Sequence, residues 1–155
     1  LGIQVHYHNH AGSYIETPGE VAALVAHIEL SLVDLCFDTG HYAYGGGDAN
    51  EFVASHLDSI GYLHLKDVNR KVLTEAKQRG WSFLDALRHI IFCPLGEGDA
   101  NIPSIVATLV NSRFNGWVII EQDTCKGEST LNARNNRETL ARLAVDPGNR
   151  KEPES

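Results

Sequence analysis

Leu32-Val33-Asp34-Leu35-Cys36-Phe37-Asp38-Thr39-Gly40-His41 is a short apolar run closed by an acid, a two-residue turn and a histidine. A run of this length between helix signals reads as a buried strand, here Leu32 to Asp38. Downstream, Asp48-Ala49-Asn50-Glu51 is a capping pattern that opens a helix through about Leu57. Ile60 to Lys66 is the next strand. Upstream, Thr17-Pro18-Gly19-Glu20 places an N-cap, a proline at the first helical position and a glutamate three residues after the cap. Val21, Leu24, Val25 and Ile28 follow at helical spacing. Before that helix, Ile3 to His10 alternates, with Ile3, Val5, Tyr7 and Asn9 on one side and His6, His8 and His10 on the other. Beyond residue 70 the spacing predicts a helix over Lys71–Arg79 stopped by Gly80, and another from Ser82 to Ile91. A glycine-rich loop, Pro94 to Asp99, leads to a helix from Asn101 to Val110. A fourth strand spans Trp117 to Glu121, and a final helix Ser129 to Leu143.

Strand–helix alternation four times over means parallel strands joined by right-handed crossovers. No Gly-x-Gly-x-x-Gly follows the first strand, so a dinucleotide fold lacks its phosphate turn. The sequence therefore reads as α/β, the carboxyl-terminal half of a (β/α)8 TIM barrel in four parallel βα units, because a complete barrel takes about 250 residues. The partial-barrel domain covers 1–145, and 146–155, with two prolines and five charges, is expected to be a disordered tail. A chain that opens inside a strand and contains no methionine is expected to be a piece of a longer protein. The missing amino-terminal half, or a second copy of the chain, is the expected partner, since an isolated half exposes open sheet edges.

Composition narrows the function. The 155 residues are 43% hydrophobic and 21% charged, enough for a packed core. Thirteen basic residues against twenty acidic ones give −7, so nucleic acid and anionic membranes are poor partners. No apolar run approaches the roughly 18 residues a membrane helix needs. Three scattered cysteines, Cys36, Cys93 and Cys125, form no Cys-x-x-Cys pair and suit a reducing cytoplasm.

Catalytic groups of barrels stand at the carboxyl ends of strands. The first strand offers His6, His8 and His10, with Glu16 in the following loop; the second offers Asp38 and His41. The third offers His64, Lys66 and Asp67, and the fourth Glu121 and Asp123. Carboxylates mixed with imidazoles suit Mn²⁺, Co²⁺, Mg²⁺ or Zn²⁺. Such an ion can hold a carbonyl and the adjacent hydroxyl while charge develops on oxygen. Taken singly, each of these residues is an ordinary strand-end packing or salt-bridge residue; recurrence at four strand ends carries the argument. His27, His56 and His89 fall in helices and read as surface or packing residues. The cysteines read as small buried apolar groups, and Trp81 and Trp117 as core. Gly96-Glu97-Gly98-Asp99 reads as a substrate-side loop or a helix lead-in, its two acids arguing against a phosphate.

Six segments in order resemble the inosose dehydratase family of the xylose-isomerase-like TIM barrels, which also include sugar isomerases, epimerases and apurinic endonucleases. They are Tyr7-His8-Asn9-His10-Ala11-Gly12 with Glu16-Thr17, Phe37-Asp38-Thr39-Gly40-His41, His64-Leu65-Lys66-Asp67, Ser82-Phe83-Leu84-Asp85-Ala86, Pro94-Leu95-Gly96-Glu97-Gly98-Asp99 and Glu121-Gln122-Asp123. The resemblance implies a divalent metal, manganese or cobalt before magnesium or zinc, with Asp38, His64 and Glu121 as three ligands. Many relatives carry a glutamate in the first strand where this chain has histidine, His6 or His8. The fourth place is assigned to Glu16 on grounds of charge; the alternatives are His8, which alternation favours, or three protein ligands completed by water and substrate. The implied reaction is loss of water from 2-keto-myo-inositol through an enediolate, in inositol catabolism, with His10, His41 and Lys66 moving protons. His8, Asp67 and Glu97 are then expected to contact the polyol ketone. A sugar isomerase or epimerase, or a non-catalytic sugar-binding half-barrel, are the competing expectations. An apurinic endonuclease needs a basic groove, which −7 argues against.

Overall fold

The computed structural model describes residues 2–145; the expected tail, 146–155, lies outside them. Four strands form one parallel sheet: β1 (Val5–His8), β2 (Val33–Asp38), β3 (Ile60–Leu65) and β6 (Trp117–Ile120), in the order β1-β2-β3-β6. Between them run α1 (Pro18–His27), α2 (Thr39–Tyr44), α3 (Ala49–His56), α4 (Arg70–Arg79), α5 (Phe83–Arg88) and α6 (Ile102–Asn111), and α7 (Ser129–Val145) closes the described chain. Two further short strands, β4 (Asp67–Val68) and β5 (Phe92–Cys93), pair antiparallel.

Local chemistry sets the helix starts where the sequence placed them. Thr17 and Glu20 close a capping box with Pro18 at the head of α1. The Asp48 side chain accepts from Glu51 N at the head of α3, and Gly80 ends α4 at φ 64°. Several elements differ from expectation: β1 is confined to Val5–His8, and β4 has no counterpart in the spacing. α2 springs directly from the end of β2, with Asp38 as its N-cap. The helix predicted to reach Ile91 stops at Arg88, because Ile91 is buried and its carbonyl accepts from Asn69 N at 2.8 Å. The chain then enters β5, a long-range pairing that local spacing does not encode.

Alternation divides the sheet into two unlike faces. Leu35, Phe37, Leu63 and Leu65, all fully buried, meet Val21 of α1, Phe52 and Val53 of α3 and Ile102, Ile105 and Val106 of α6. Burying one such side chain stabilises the fold by about 1.5–3 kcal/mol. The opposite face carries the polar row described below. Trp117, read as core, is 71% exposed, because it lies on that opposite face at the start of an edge strand. Trp81 is half-buried and stacks on His89 with ring centroids 3.9 Å apart, so it is a stacking platform as well as a packing residue. Cys36 and Cys93 are buried as expected, while Cys125 is only partly so.

Candidate metal centre

The polar face is laid down by register. His6 stands opposite Asp34, His8 opposite Cys36, Asp38 opposite His64, and Tyr62 opposite Trp117. At the amino ends of the strands, His6 Nδ1 pairs with Asp34 Oδ1, and Gln4 Nε2 donates to Asp34 Oδ2 at 2.8 Å. His6 is thereby occupied far from the carboxyl ends, where it was expected among the site groups. A cavity of about 560 Å³ at this amino end is lined by Gln4, His6, Gly61 and Trp117, not by the cluster at the other end.

At the carboxyl ends, ligand atoms of His8, Asp38, His64 and Glu121 all lie within 4.8 Å of one another. Asp38 Oδ2 is 3.6 Å from His8 Nε2 and 3.5 Å from His64 Nδ1, and His64 Nδ1 is 2.5 Å from Glu121 Oε2. His8 Nε2, Asp38 Oδ2, His64 Nδ1 and Glu121 Oε2 are all buried without a hydrogen-bond partner. Four buried ligand atoms that converge on one point, each without a well-formed hydrogen bond, mark a place shaped for a cation. Two imidazoles and two carboxylates match a divalent ion of intermediate softness.

Electrostatics prepares the cluster. Burial pushes the Asp38 pKa up, but His64, His8 and the charge of Lys66 outweigh it and hold the carboxyl well below its usual range. Glu121, beside His64 and Lys66, is held down to about 2. His64 is drawn up to about 11 by Asp38, with Cys36 and Glu121 adding to the effect. Without a cation, His64 therefore carries a proton that neutralises the carboxylates.

The second neighbourhood is a buried amine. Lys66 Nζ lies 3.3 Å from Asp38 Oδ2, 3.5 Å from Glu121 Oε2, 3.1 Å from Asp123 Oδ2 and 3.0 Å from His41 Nε2. Its stem passes under α2 at Gly40, where any Cβ would fall 2.6 Å from Lys66 Cγ, so only glycine fits there. His41 Nδ1 accepts from Ala11 N at 3.2 Å, and burial pushes its pKa down to about 3, keeping the ring neutral. His10 stacks on His41 with centroids 3.9 Å apart. His10, His41 and Lys66 thus stand together beside the cluster.

Three expected site residues lie elsewhere. The Glu16 carboxylate accepts from Gly12 N within its own loop and is outside the four-residue cluster; His8 holds the fourth place. Asp67, expected to contact substrate, is fully buried and accepts backbone N–H groups from Val68, Gly96, Gly98 and Ala100 at 2.8–3.0 Å. A Cβ at Gly98 would fall 2.5 Å from Asp67 Oδ1, so the glycine-rich loop is wrapped on that carboxylate. Glu97 projects from the same loop into solvent.

Supporting residues went unread in the sequence. Asn9 is buried, accepts from Asp38 N at 2.9 Å and donates to Asp38 O at 3.2 Å, clamping the strand end that carries the ligand. Its signal was an amide on the otherwise apolar side of the first strand. Asn136 of α7 is buried, donates to Gln122 Oε1 at 2.8 Å and accepts from Leu95 N, fixing the Glu121–Asp123 segment. Nothing local marks Asn136.

The description "Xylose isomerase-like TIM barrel" belongs to the family whose sequence pattern matches residues 1–144. An inosose dehydratase of Geobacillus kaustophilus is 36% identical over 145 residues, 92% of this chain and 47% of its own. The rhizopine catabolism protein MocC of Rhizobium meliloti is 35% identical over 150 residues, 96% of this chain and 46% of its own. The chain thus spans about half the length of these curated relatives. A xylose isomerase domain protein from Planctomyces limnophilus superposes with a TM-score of 0.69 at 20% identity, over 96% of this chain and 48% of that one. The probable 3-DHS dehydratase AsbF of Bacillus anthracis gives 0.62 at 15% identity, over 96% and 50%. With its parallel βα order and its polar strand-end row, the chain belongs to the xylose isomerase-like TIM barrel family.

Proposed function

We propose that the chain supplies the metal-binding half of a divalent-metal-dependent dehydratase, a hydro-lyase that removes water from 2-keto-myo-inositol in inositol catabolism. The observation that carries this reading is the convergence of four buried ligand atoms, all within 4.8 Å of one another, beside Lys66. Likeness to inosose dehydratases supports the substrate class. His8, Asp38, His64 and Glu121 would hold the ion, Mn²⁺ or Co²⁺ before Mg²⁺ or Zn²⁺. When bound, such an ion supplies Lewis-acid stabilisation of the oxygen charge that develops as a proton leaves the carbon beside a ketone.

The chain's own residues do the rest. Lys66, held among Asp38, Glu121 and Asp123, sets its amine beside the developing oxyanion. His10, stacked on His41 with its Nδ1 turned to Ala11 O, offers Nε2 to take a proton, while His41, engaged at Nδ1 by Ala11 N and at Nε2 by Lys66, positions the amine that returns one to the leaving hydroxyl. Completion of the barrel wall by the missing half, or by a second copy, would exclude water from this face. Three free cysteines suit a cytoplasmic setting.

The test is metal analysis and an assay on 2-keto-myo-inositol, with the chain alone and with a version extended to the relatives' length. A conjugated, ultraviolet-absorbing dione from the extended form supports dehydration. A product of unchanged mass points instead to an epimerase or isomerase, and ligand binding without turnover to a sugar-binding half-barrel.

A further inference from the structure

Directly beneath Asp38 on the polar face sits a thiol with no assigned purpose. Cys36 pairs in register with His8, is 7% exposed and forms no disulfide. Its sulfur and ring nitrogens of His8 and His64 all lie within 4.8 Å of one another, a second group of potential ligands that shares both imidazoles with the first. We infer that the centre has two overlapping cation positions, one toward Asp38 and Glu121 for hard ions and one toward Cys36 for soft ions. The inference rests on the metal-centre reading above.

The physical basis is ligand softness. Mn²⁺ and Mg²⁺ prefer carboxylate oxygen, whereas thiolate sulfur selects softer ions, and imidazole serves both. Ligand atoms around a tetrahedral ion of zinc size stand roughly 3.5 Å apart, a contraction that side-chain torsions of His8 and His64 can supply. Binding at the soft position breaks the S–H bond, releases that proton to solvent and forms a metal–sulfur bond. His8 and His64 cannot serve both positions at once. A soft ion at Cys36 would therefore draw the imidazoles away from Asp38 and Glu121, leaving a centre loaded but displaced from Lys66. If Cys36 is only a packing group, no sulfur–metal bond forms with any ion.

The experiment adds Cd²⁺, a soft ion, to the metal-free full chain and records its ultraviolet absorption spectrum. A sulfur-to-cadmium charge-transfer band, lost in Cys36→Ser and kept in Cys93→Ser and Cys125→Ser, is the expected result. Cadmium binding without the sulfur band would overturn the inference and leave the metal centre standing. No uptake of Cd²⁺ would overturn the inference, and no uptake of Mn²⁺ by titration calorimetry would overturn the metal centre with it. If Cys36→Ser does not fold, Cys93→Ser and Cys125→Ser assign the band by elimination; ¹¹³Cd resonance, which reports sulfur ligation, provides a second reading of the same chain.

Discussion

Asp38 and Asp67 are both fully buried acids at the ends of neighbouring strands, yet their surroundings are opposite. Asp67 is saturated: four backbone N–H groups close on its two oxygens. Burial raises its pKa and those donors pull it back. Asp38 spends one oxygen on His41 N at 2.8 Å, capping α2, and leaves the other without a hydrogen bond, faced by His8, His64 and the Lys66 amine. A buried carboxylate whose bonds are complete organises structure; one whose bonds are half-made is available to a ligand. Residue type and strand-end position are the same in both cases, so the difference lies in hydrogen-bond completeness.

The largest effect should come from Asp67→Ala. Orphaning four backbone donors, at about 1–3 kcal/mol for each left unpaired, should cost 3 kcal/mol or more after relaxation. In a domain of this size that lowers Tm by roughly 6–12 °C in thermal unfolding. Metal stoichiometry of the remaining folded protein should be unchanged, and a loss of metal without a loss of stability would erase the contrast. Asp38→Asn should behave the other way. Asparagine still caps α2, so the fold persists, while Mn²⁺ affinity measured by titration calorimetry falls more than about 100-fold. Glu16→Gln, which alters only a loop hydrogen bond, should leave that affinity unchanged.

A smaller effect concerns pH. The His64 pKa is raised from 6.5 to about 11. Its contribution to the stability of the metal-free chain is therefore fully present below pH 6.5 and lost as pH rises through about 11. A coordinated ring must be neutral, so the rise in Tm produced by Mn²⁺ should grow as pH increases from 6.5 upward. Thermal unfolding with and without Mn²⁺ across that range checks this, and a Mn²⁺ shift independent of pH would remove His64 from the ligand set.

The parallel βα order was legible from helix and strand spacing, and the groups His8, Asp38, His64 and Glu121 from their place at the close of each strand, whereas Cys36 read only as a small buried apolar group. The role of Asp67 was not legible, since three of its four donors lie 29 to 33 residues away in a loop that reads as turn chemistry. β4 and β5 are two residues each, too short to leave a period. α2 hides in a glycine-flanked stretch, and its first turn depends on the Asp38 cap that the strand supplies. The choice between His8 and Glu16 turned on charge in the sequence and on reach in the structure: the turn at Gly12 draws the Glu16 carboxylate onto its own loop.

The most direct measurement is the anomalous diffraction of crystals grown with Mn²⁺. One peak per chain, in direct contact with a nitrogen of His8, an oxygen of Asp38, a nitrogen of His64 and an oxygen of Glu121, is the predicted result. No peak among these four residues, or a peak held by Glu16 in place of His8, would contradict the account.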